Sequence, residues 1–100
     1  MITTKQRAQL RGLANSAETI VQIGKSGITD AVISSVNDAL TARELVKGKV
    51  LETCDYTPRE ICEALCEACS ADPVQVIGTK FVIFRRNTKA PKIALVKSKK

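Results

Sequence analysis

Three stretches with helix-start signals alternate with short β-branched runs, and the alternation ends on two such runs only three residues apart. No other feature restricts the fold of these 100 residues as much. The first stretch opens with Thr3 and Gln6 at capping-box spacing and continues as a stripe of Leu10, Leu13 and Ala14, with Lys5, Arg7, Gln9 and Arg11 on the other face. Residues 19–23, bounded by Gly24, predict a buried strand. Thr29 reads as the N-cap of a second helix, whose apolar face carries Val32, Ile33, Val36, Ala39 and Leu40. In residues 45–51 Val46, Gly48 and Val50 alternate with Lys47 and Lys49, so one face of that strand is basic. Thr57-Pro58-Arg59-Glu60 starts a third helix that runs to about residue 70, because Pro suits the first helical position and Glu60 completes a capping box. Runs 74–77 and 81–84, separated by Gly78-Thr79-Lys80, predict an antiparallel hairpin, and residues 93–96 could add a short edge strand.

The order is therefore α-β-α-β-α-β-β. Right-handed crossovers make the first three strands mutually parallel, and the hairpin adds an antiparallel one. The expected architecture is an α/β (α+β) two-layer fold, a four-stranded mixed sheet packed against helices.

With 44% hydrophobic and 26% charged residues, a chain of this length supports one core and one domain. That excludes a barrel enzyme or a two-domain nucleotide enzyme. The net charge of +6 is unevenly placed: residues 1–27 carry +3, 28–49 are neutral, 50–78 carry −5 and 79–100 carry +8. Two basic ends around an acidic centre point to one basic face and a polyanionic partner. The first 25 residues have no unbroken apolar run, and no stretch is long enough to span a membrane, so a cytoplasmic protein is expected. Histidine is absent, which removes His-based acid/base chemistry, His-paired nucleophiles and imidazole zinc sites.

Gly24-Lys25-Ser26-Gly27 lies between a strand and a helix start, where free backbone N–H groups and the helix dipole favour phosphate. It is neither a P-loop nor a dinucleotide fingerprint. A G-x-x-G loop clamps nucleic-acid backbone in KH domains, but there it joins two helices. With only Tyr56, Phe81 and Phe84 as aromatics, the chain lacks the base-stacking sheet of an RRM, and Phe81 and Phe84 read as packing residues. Cys62, Cys66 and Cys69 spell C-x3-C-x2-C, the spacing of radical-SAM cluster ligands, so a small Fe–S or metal-binding redox protein is the alternative from another class. Together with Ile61, Leu65 and Ala68 the three cysteines also form one apolar helical face, and core packing is the preferred reading. Glu60, Glu63 and Glu67 on the opposite face predict a solvated surface turned away from a polyanion.

Five collinear segments carry a family resemblance: Thr3-Thr4-Lys5-Gln6-Arg7 with Leu10-Arg11-Gly12-Leu13-Ala14; Val21-Gln22-Ile23-Gly24-Lys25-Ser26-Gly27-Ile28-Thr29; Glu44-Leu45-Val46-Lys47-Gly48-Lys49-Val50; Val74-Gln75-Val76-Ile77-Gly78; and Phe81-Val82-Ile83-Phe84-Arg85. Over about residues 2–95 they resemble the CRM domain, the chloroplast RNA splicing and ribosome maturation module, in its stand-alone bacterial YhbY-like form. The resemblance implies a fold similar to the C-terminal domain of translation initiation factor three. It also implies a non-enzymatic RNA-binding protein associated with precursors of the large ribosomal subunit. Residues 1–96 would form one such domain and 97–100 a basic flexible tail. The family loop maps onto Gly24, Lys25, Ser26 and Gly27, its basic helix onto Lys5, Arg7 and Arg11, and its basic strand onto Lys47 and Lys49. Lys80, Arg85 and Arg86 are expected to add to the field that attracts RNA. No cofactor, metal or small-molecule substrate is expected, and the chain should act as a monomer.

Overall fold

Each helix begins where a hydroxyl can satisfy an orphan N–H. The computed structural model describes residues 3–86. In it Thr3 Oγ1 accepts from Gln6 N at 3.1 Å and Gln6 Oε1 accepts from Thr3 N at 3.0 Å, opening α1 (Thr4–Ala14). Strand β1 (Thr19–Ile23) leads to α2 (Asp30–Arg43), where Thr29 Oγ1 accepts from Val32 N. After β2 (Leu45–Val50), a second reciprocal capping box between Thr57 and Glu60 starts α3 (Pro58–Cys69). Strands β3 (Asp72–Ile77) and β4 (Lys80–Phe84) complete the predicted order. Gly78 supplies the positive φ, +58°, that their turn needs. The edge strand expected at 93–96 and the tail at 97–100 lie outside the described residues.

The sheet order is β1-β2-β4-β3, with β1 and β2 parallel and β4 antiparallel to both its neighbours. The first three strands thus point the same way, and the most apolar strand takes an inner place. All of Phe81 to Phe84 is buried, and because side chains alternate, β4 feeds two separate cores. Phe81 and Ile83 join Val21, Ile23, Val46, Val50, Val36, Leu40 and the α3 face of Ile61, Cys62, Leu65, Cys66 and Cys69. Val82 and Phe84 pack with Leu10, Ala14, Val74 and Leu45 on the other side. The helices therefore cover both faces, α2 and α3 on one and α1 on the other, so the layers number three where two were expected. Alternation of apolar residues on both sides of β4 is what demands the extra layer.

Gly48 is required by its partner. It lies opposite Phe81 in the β2/β4 register, and a Cβ at Gly48 would stand 2.7 Å from Phe81 Cε2 and closer still to Cζ. The ring fills the place that a side chain would occupy.

Arg85 ties the two helices of the larger layer together. Its guanidinium donates to the Cys69 carbonyl at 3.1 Å, the Asn37 carbonyl at 3.0 Å, Thr41 Oγ1 at 2.7 Å and the Asn37 side-chain oxygen. The Cys69 and Asn37 carbonyls belong to α3 and α2, so one fork of donors staples both helices to the end of β4. Replacing Arg85 by Met, which keeps the stem and removes the donors, is expected to lower stability by about 2 kcal/mol in urea unfolding. An unfolding midpoint equal to that of wild type would remove the staple from the account of the fold.

Candidate nucleic-acid interface

Strand β1 ends in a tight turn. Gly27 N donates to the Gly24 carbonyl at 2.9 Å, which leaves Lys25 and Ser26 exposed at the corner. Gly27 takes φ +66° and sits against the Tyr56 ring. Leu51 N donates to the Ile23 carbonyl at 2.8 Å, and Val50 N to the Thr79 carbonyl at 2.7 Å. These bonds bring the Gly24–Gly27 turn, the loop before α3 and the β3–β4 hairpin to the same end of the sheet.

On the α1 side of the sheet no described helix covers that end. Register places Gln22, Lys49, Lys80 and Ile77 side by side across all four strands, with Lys47, Val82 and Gln75 in the next row. Asn15, Lys47, Gln75, Ile77, Lys80 and Val82 line a groove between the end of α1 and the hairpin. Lys49 and Lys80 are direct cross-strand partners, an arrangement that destabilises a sheet unless an anion lies between or above the two charges. Lys47 is anchored by its Nζ, which donates to the Ala14 carbonyl at 3.1 Å and complements the negative end of α1.

The residues expected to bind divide accordingly. Gly24, Lys25, Ser26 and Gly27 share one end of the sheet with Lys49 and Lys80, with Lys47 one row behind. Lys5 and Arg11 are exposed on α1, over the same face, while Arg7 Nε donates to the Pro73 carbonyl at 3.2 Å and thus also secures α1 to β3. Arg85 points to the opposite face, occupied by the staple, and does not join this surface. Arg86 is exposed beyond β4. Asn15, Gln22, Gln75 and Ile77 were not singled out from sequence. Their place depends on strand order and on the irregularity between Pro73 and Gln75 in β3, which alternation alone does not reveal.

The cysteines belong to the larger core. Cys62, Cys66 and Cys69 are buried among its apolar residues, and among the described residues no three Cys, Asp or Glu side chains converge on a point that could hold a metal. The hydrogen bond between Cys66 and Cys62, followed by burial, pushes the Cys66 thiol up, and burial does the same for Cys69. The same hydrogen bond lowers the Cys62 thiol, so the shifts oppose a thiolate, which cluster ligation needs, at Cys66 and Cys69 but not at Cys62. Glu63 and Glu67 are exposed on α3, across the sheet from α1 and the lysine rows.

The family model described as the CRS1 / YhbY (CRM) domain matches residues 2–85. The chain belongs to this family. As a CRM domain it is 36% identical over 95 residues to the Bacillus subtilis (strain 168) protein named probable RNA-binding protein YqeI, covering 95% of this chain and 99% of that one. It is 34% identical over 89 residues to a Haemophilus influenzae protein named RNA-binding protein, covering 89% and 90% of the two chains. Among solved structures, that of SAV1595 from Staphylococcus aureus, reported as a candidate RNA-binding protein, superposes with a TM-score of 0.80 at 41% identity, covering 96% of this chain and all of that one. Among the described residues no helix is long and apolar enough to cross a membrane.

Proposed function

We propose that this CRM domain is a non-enzymatic, cytoplasmic RNA-binding module that holds structured ribosomal RNA in precursors of the large ribosomal subunit. The observation that carries the reading is the cross-strand pair of Lys49 and Lys80 on a sheet end that no described helix covers, beside a glycine turn that exposes Lys25. Two cations held opposite each other favour a bound polyanion over free protein. The turn adds backbone N–H groups at the entrance to α2, where the dipole also favours phosphate. Lys5 and Arg11 on α1 extend the positive field across the same face. The RNA-binding names of the Bacillus and Haemophilus relatives support RNA as the polyanion.

The test is binding to large-subunit ribosomal RNA fragments, to an unrelated structured RNA and to duplex DNA across a salt series. A preference for one ribosomal fragment that persists near physiological salt is expected, with a log–log salt slope of about 0.7 to 0.9 per phosphate neutralised. Equal affinity for every polyanion, lost together as salt rises, would leave only a nonspecific field and overturn the ribosomal assignment.

A further inference from the structure

Tyr56 is the only tyrosine of a chain without tryptophan, and both phenylalanines are buried, so it is the one aromatic ring that reaches solvent. It is 57% exposed, and it stands directly before the N-cap of α3. Its Cε2 lies 3.5 Å from where a Gly27 Cβ would be, so the ring abuts the glycine turn itself. Ser26 and Ile28 from the turn, and Glu60, Ile61 and Ala64 from α3, complete a shallow hollow around it.

We propose that this hollow holds one unpaired nucleotide of the bound RNA, its base stacked on the Tyr56 ring and its phosphate drawn to the Lys25–Ser26 corner. The proposal rests on the RNA-binding reading above and adds a mode of recognition to it. Local charge sets the orientation. Glu60 in the lining and Glu52 and Asp55 in the Tyr56 loop repel phosphate, but they do not repel a neutral base, whereas Lys25 stands exposed in the turn next to Ser26, which lines the hollow. Glu60 Oε1 already accepts from Thr57 N at 2.9 Å, so the carboxylate is held in place by the helix start and does not swing over the ring. Bases inside a duplex are stacked on one another and cannot offer a free face. The site therefore selects loops, bulges and ends.

The experiment compares wild type, Tyr56→Phe and Tyr56→Leu on an RNA hairpin with an adenine loop and on a closed RNA duplex of equal length. For Tyr56→Leu, affinity for the hairpin is expected to fall about tenfold, with duplex binding and salt slope unchanged, while Tyr56→Phe stays near wild type. In NMR spectra the ring protons, assignable because the tyrosine is unique, should move upfield on addition of oligoadenylate and stay in place with duplex. Tyr56→Leu equal to wild type on the hairpin with unmoved ring resonances, or equally weakened on hairpin and duplex, overturns the stacking site and leaves the backbone contacts standing. Wild type that binds neither RNA overturns the parent reading and this one with it.

Discussion

Replacing Gly48 by Ala is expected to destabilise the fold by about 3 kcal/mol, lowering the melting temperature by roughly 12 °C or more. The new methyl would enter the space of the Phe81 ring, which is fully buried in the inner strand and has no room to retreat. Valine at the same place is expected to prevent stable folding, since small domains hold only about 5 to 15 kcal/mol in reserve. Gly12→Ala is the matched control. Nothing lies within 4 Å of a Cβ there, and the helix should gain up to about 1 kcal/mol. Coupling is read by adding Phe81→Leu: the smaller side chain should recover part of what Gly48→Ala loses. Thermal unfolding of Gly48→Ala at the wild-type temperature would show that the ring is not fixed over Gly48.

The largest effect on binding is expected from the triple substitution of Lys25, Lys49 and Lys80 by Gln. Loss of three phosphate contacts should lower RNA affinity about a hundredfold near physiological salt and reduce the log–log salt slope by about 2 to 3. The melting temperature should hold or rise, because the repulsion between Lys49 and Lys80 disappears and no described residue bonds to any of the three side chains. A loss of affinity without a loss of stability separates a binding surface from a structural one. Lys47→Gln is the contrast, since it should also loosen α1 by freeing the Ala14 carbonyl. Unchanged affinity and slope in the triple variant would remove the lysine row and the turn from RNA binding together.

Much of this was written locally. Two capping boxes, a proline at the start of α3 and a glycine at the hairpin are signals made by neighbours in sequence, and each appears where expected. The turn at Gly24 to Gly27 was legible for the same reason. Strand order was not, because nothing local says that β4 inserts between β2 and β3. From that insertion follow the pairing of Lys49 with Lys80, the extra layer formed by α1, and the grouping of Gln22, Lys49, Lys80 and Ile77. Arg85 shows the limit most clearly. As one cation in a basic stretch it looked like part of the binding field, yet chain alternation sends it to the α2 and α3 face, where Cys69 and Asn37 claim its donors. Tyr56 was noticed only as one of three aromatics, since its approach to Gly27 joins two loops distant in sequence.

The inner position of β4 also governs how the chain acquires its structure. A ribosome delivers β1, β2 and β3 first, but β2 and β3 do not pair with each other, and both halves of the core wait for Phe81 to Phe84. Until that strand arrives, β2 and β3 expose unpaired edges and an open apolar seam. The pairing of β4 with β2, far apart in sequence, is the slow one to nucleate. Completion of both cores is therefore expected late, when β4, already joined to β3 through the turn at Gly78, docks on the waiting edge of β2.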